Sequence, residues 1–100
     1  MTRSRHALTL HEAAQGAPSL ARLLELALES RDRLQAVEHL IPAALRPAIL
    51  AGPIDGASWC LLVSSNAAAA KLRQLVPALQ AHLRSRGCEI NSIRLKVQIV

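Results

Sequence analysis

Few side chains in this chain could carry chemistry. The histidines are His6, His11, His39 and His82, and the cysteines are Cys60 and Cys88. The cysteines are not spaced as a metal pair and no histidine has a cysteine partner at zinc-finger spacing, so no metal site is expected. No glycine-rich loop of the phosphate-cradling kind occurs. The carboxylates Glu25, Glu29, Asp32 and Glu38 fall on one amphipathic stretch, where a solvated face accounts for them. Nothing marks either thiol as a nucleophile. The chain is therefore expected to be non-enzymatic, with no cofactor, and its cysteines read as reduced thiols of a cytoplasmic protein.

What the composition offers instead is positive charge, unevenly placed. The formal net charge is +5. Through residue 65, Arg3, Arg5, Arg22, Arg31, Arg33 and Arg46 are balanced by Glu12, Glu25, Glu29, Asp32, Glu38 and Asp55. Beyond it stand Lys71, Arg73, Arg84, Arg86, Arg94 and Lys96 against Glu89 alone. A one-sided basic field suits a polyanion or an acidic protein surface, and equally serves solubility. These six are the candidate binding residues. Trp59 is the only aromatic residue of Phe, Tyr and Trp type. Single-stranded nucleic acid is held by aromatic platforms as well as charge, so any such binding is expected to be weak, salt-sensitive and carried by phosphates.

The elements that must position these residues follow from periodicity. The stretch PSLARLLELALESRDRLQAVEHLIP places Leu20, Leu23, Ala27, Leu34, Val37 and Ile41 at helical spacing, with Ser30 at the one polar step. It predicts an amphipathic helix capped by Ser19 and stopped by Pro42. AILAGPIDGASWCLLVSS reads as a β-hairpin turning at Asp55-Gly56. In that register Ile54 pairs with Ala57, and Gly52 lies opposite Trp59. Leu50, Ile54, Trp59, Leu61 and Val63 then face inward, and Ile49, Ala51, Ser58, Cys60, Leu62 and Ser64 face outward. Pro53 marks the first strand as an edge.

In SSNAAAAKLRQLVPALQAHL, Asn66 is the expected helix cap. Ala67 to Ala70 allow close approach to the sheet, and Leu72, Leu75, Val76, Leu79 and Leu83 form the apolar stripe. Pro77 predicts a kink and Gly87 a left-handed stop. INSIRLKVQIV alternates Ile93, Leu95, Val97 and Ile99 with Arg94, Lys96 and Gln98, the pattern of a strand with one wet face. The sum is an α/β chain in the order α-β-β-α-β, a two-layer sandwich with a three-stranded mixed sheet and its helices on one face. Residues 1–17 read as an arm with a short helix over 10–15, and residues 18–100 as the domain. No apolar run approaches the ~20 residues of a membrane helix, and no secretion signal is recognised.

The outer sheet face would set Arg94 and Lys96 beside Ile49, Cys60 and Leu62, with Gln98 further along. Apolar side chains flanked by basic ones suit a macromolecular contact, unless the arm covers that face. Trp59 reads as a core residue packed near Gly52 rather than as a binding hot spot.

The helix LARLLELALESRDRLQAVEHLIPAALRPAI, the hairpin, the run SSNAAAAKLRQLVPALQAHLRSRG and the strand INSIRLKVQIV together resemble the DciA family over about residues 19 to 100. The most specific part is the small-residue run into Lys71-Leu72-Arg73 with Pro77 downstream. The resemblance implies a KH-like domain without an ATPase of its own. Such a domain binds the replicative DNA helicase and assists its loading on single-stranded DNA. Many relatives carry a tryptophan at the place of Ala68, which makes Ala68 a further candidate for partner contact. The alternatives are a small single-stranded DNA- or RNA-binding protein without a helicase partner, and a module that self-associates through the outer sheet face.

Overall fold

The computed structural model describes residues 19–98. The arm expected over residues 1–17 and the last apolar position, Ile99, lie outside the described residues. Helix α1 spans Leu20–Val37, β1 Ile49–Asp55, β2 Ser58–Val63, α2 Asn66–Ser85 and β3 Ser92–Val97, with single 3-10 turns at Glu38–Leu40 and Arg46–Ala48. The sheet order is β1-β2-β3, with β1 antiparallel and β3 parallel to β2. This is the α-β-β-α-β, three-stranded mixed arrangement that the periodicity predicts. β1, which carries Pro53, is an edge strand.

Helix ends follow side-chain chemistry. The Arg22 N–H donates to Ser19 Oγ at 3.1 Å, so Ser19 caps α1 as expected. At the start of α2 the cap is Ser65 rather than Asn66. The Ala68 N–H donates to Ser65 Oγ at 3.1 Å, and Asn66 is already helical. At its end, Gly87 has φ +90°. The Cys88 N–H there reaches the Leu83 carbonyl and the Gly87 N–H the Arg84 carbonyl, the paired bonds of a Schellman stop. α2 runs as one helix through Pro77.

The core joins Trp59, Leu61 and Val63 of β2 to Leu72, Leu79 and Leu83 of α2 and to Val37 and Ile41 after α1. Ala68 and Ala69 are buried where the first turn of α2 meets it, which explains the alanine run: small side chains let the helix sit close. The stripe expected along all of α1 is buried only in its second half. Ser30, Arg33 and Val37 are buried, whereas Leu20, Leu23, Leu24 and Leu28 are exposed, Leu20 by 73%. An 18-residue helix is about 27 Å long, and a six-residue strand covers only about 20 Å.

The hairpin departs from its predicted register. Its central turn residues are Gly56 and Ala57, since Asp55 pairs with Ser58 and Ile54 with Trp59. Gly56 takes φ +60° at the first turn position. The register then shifts between Ile54 and Ala51, and Ala51 pairs with Leu61. Gly52 and Pro53 together oppose Cys60, which is a β-bulge. One extra residue inverts the phase of the strand beyond it. Ile49 therefore faces the core, while Leu50 is 65% exposed, the reverse of the expected faces. The sheet residues expected inward on β2 keep their places.

Gly52 is required at the bulge. A Cβ there would stand 2.7 Å from the Cys60 carbonyl oxygen and 3.3 Å from Leu62 Cγ. Gly52→Ala is expected to cost roughly 1–3 kcal/mol, because a backbone atom cannot yield as a side-chain tip can. Urea unfolding would measure it, and a loss below about 0.5 kcal/mol would show that β1 lifts freely from β2.

Candidate interaction surface

The two helices pack on one side of the sheet, and among the described residues nothing covers the other side. Across that open face, Leu50 pairs with Leu62 and Leu62 with Lys96; in the next row Cys60 pairs with Arg94. Strands lie about 4.8 Å apart, so each full row spans roughly 10 Å. At one end Ser92 Oγ donates to Ser58 Oγ at 3.0 Å. At the other, Pro47, Leu50, Leu62, Ser64 and Gln98 line a shallow hollow of about 140 Å³. Leu62 and Cys60 are half-buried, and Arg94, Lys96 and Gln98 are exposed.

The ion pairs among the described residues are Arg22–Glu25 and Arg33–Glu29, so neither Arg94 nor Lys96 is neutralised there. The face combines an apolar strip, Leu50 to Leu62, with two cations on the neighbouring strand. It can exclude water from a partner's apolar side chains and meet negative charge at the rim, which is how a polar-rimmed protein interface is built. Among the described residues no three His, Cys, Asp or Glu side chains gather around a common point. No helix among them is long and apolar enough to cross a membrane.

The predicted site residues separate into groups. Arg94, Lys96, Cys60 and Leu62 share the open face. Ile49 and Ala68 do not reach it: both are buried, Ile49 because the bulge turns it inward and Ala68 because it packs in the first turn of α2. Arg73 joins Arg94 across a groove between α2 and β3. Lys71 is exposed about 200° around α2 from Arg73 and belongs to another surface. Arg84 Nε donates to the Ile90 carbonyl at 2.9 Å and serves the loop before β3. Arg86 lines a cleft with Glu29, Asp32, Arg33 and Glu89, where carboxylates offset its charge.

Three features lie beyond the sequence expectations. Leu50 takes the outward place assigned to Ile49; the Gly52-Pro53 pair inside the strand was the signal for it. Arg33 is buried and bound to Glu29 at 3.1 Å, and its Nε and Nη1 have no partner among the described residues. His39 and His82 meet edge to face with ring centroids 5.0 Å apart. Trp59 is fully buried, so it is not a contact residue in this fold. No protein-family model matches the sequence, and no curated protein matches it at a significant level.

Proposed function

We propose that this chain is a non-enzymatic binding module that docks on the replicative DNA helicase and assists its loading on single-stranded DNA. The observation that carries a binding role is the outer sheet face, where Leu50 and Leu62 share a row with Lys96 and Cys60 shares the next with Arg94, neither cation in an ion pair among the described residues. The choice of partner rests on the resemblance of the helix–hairpin–helix–strand sequence to the DciA family. The module acts by affinity alone. It binds one conformation of the helicase more tightly than the others and so raises the population of that conformation.

Reversing both charges, Arg94→Glu with Lys96→Glu, is expected to weaken helicase binding by about 10- to 100-fold at low salt without lowering the unfolding midpoint. Biolayer interferometry against the purified helicase measures this. Unchanged affinity would remove the open face from the interface, and no binding by the unmodified chain would remove the helicase. The second reading is direct binding of single-stranded DNA or RNA by the basic last third. The complete burial of Trp59 leaves that reading without a stacking platform. An oligonucleotide Kd that weakens steeply with salt, in a chain that does not bind the helicase, would favour it over the helicase reading.

A further inference from the structure

We infer that the free edge of β3 and the groove beside it receive an extended acidic segment of a partner protein by strand addition. β3 ends the sheet order β1-β2-β3, so among the described residues it has a strand partner on one side only. The N–H and C=O groups on its other side are a template for a further strand. Alongside runs a groove of about 580 Å³ lined by Arg73, Val76 and Pro77 of α2 and by Ile93, Arg94 and Leu95 of β3. Its floor is aliphatic and an arginine stands on each wall. No carboxylate lines it, and among the described residues neither arginine is in an ion pair. Pro77 has no N–H, so the Arg73 carbonyl four residues earlier lacks its helical donor and adds an acceptor to the wall.

Charge and chemistry select the occupant. A second copy of β3 would bring Arg94 and Lys96 against their own kind, the arrangement by which charged edge strands repel one another. A nucleic-acid strand would find no ring to stack on in the groove, and it has no peptide groups to continue the ladder. A peptide alternating apolar and acidic residues satisfies all three features. Its backbone pairs with β3, its apolar side chains cover Val76, Ile93 and Leu95, and its carboxylates, on the opposite face of the added strand, meet Arg94, while Arg73 adds to the positive field that draws the segment in. This surface shares only Arg94 with the open face, and the inference does not depend on the helicase being a partner.

The test uses the full chain and a fluorescein-labelled octapeptide alternating valine and aspartate, read by fluorescence anisotropy at low salt. Saturable binding is expected. Arg73→Glu should weaken it by about tenfold or more, and Val76→Ser severalfold, while Leu50→Ser, on the far strand, leaves it within about twofold. In an added strand alternate N–H groups point toward β3 and away from it, so methylating one alternate set of peptide nitrogens should abolish binding, because the ladder loses its donors, and methylating the other set should be tolerated. In amide NMR spectra the shifts should concentrate in residues 92–97 and 73–77. The inference is overturned if the octapeptide does not bind, or if both alternately methylated peptides bind as well as the unmethylated one. It is also overturned if an oligothymidine displaces the octapeptide at equal concentration, since the groove would then be reading charge alone.

Discussion

Truncating Leu61 or Leu72 to alanine is expected to destabilise the fold by about 2–5 kcal/mol, whereas Leu50→Ala stays within about 0.5 kcal/mol. Leu61 on β2 and Leu72 on α2 are both fully buried, and each faces the other's element across the core. Removing either side chain deletes its transfer free energy and leaves a cavity that the surrounding aliphatic side chains cannot refill without leaving their rotamers. Leu50 lies one residue out of phase with its core-facing neighbours and already meets water. The same substitution at three leucines therefore reads out which sheet face is dry. Urea unfolding curves with a common slope would give the differences directly. A cost above about 2 kcal/mol at Leu50, with little at Leu61, would mean that the open face is the buried one. The surface proposed for binding would then not exist.

That outcome turns on the part of the hairpin that periodicity could not resolve. The helices were legible because their signals are local and redundant. Ser19, the leucine spacing of α2 and Gly87 each act within one turn, and each does what its chemistry predicts. β2 and β3 were legible because Trp59, Leu61 and Val63, and Ile93, Leu95 and Val97, alternate without interruption. β1 was not, because its period is broken inside the strand. The Asp-Gly pair suggested a turn one residue too early. The bulge at Gly52 and Pro53 then inverted everything beyond it, exchanging Ile49 with Leu50. The cations of the candidate surface came through because β3 is regular; its apolar half did not, because β1 is not. The exposure of Leu20 and Leu24 was hidden for a different reason. A helical stripe records which side of a helix is apolar, not how far the sheet beneath it extends.

Replacing Ser30 by alanine is expected to cost about 2–4 kcal/mol, far more than an exposed serine in a helix would. Ser30 is buried in the middle of α1. Its hydroxyl donates to the Gly52 carbonyl at 2.5 Å and accepts from Trp59 Nε1–H at 2.8 Å. One oxygen thus serves the buried indole and the backbone of the bulge, and fixes α1 against β1 and β2 together. Alanine removes both bonds and leaves a donor and an acceptor stranded where water does not reach, each costing about 1–3 kcal/mol. Trp59→Phe removes only the donor, so the Ser30 bond to Gly52 survives and the cost falls on indole packing. A double-mutant cycle separates the two contributions. If Ser30 works as this bridge, Ser30→Ala should cost less in the Trp59→Phe background than alone, because one stranded group has already gone. Strict additivity would mean that the two side chains act independently and that the polar step in the α1 stripe is a tolerated serine rather than the pin that holds the helix to the bulge.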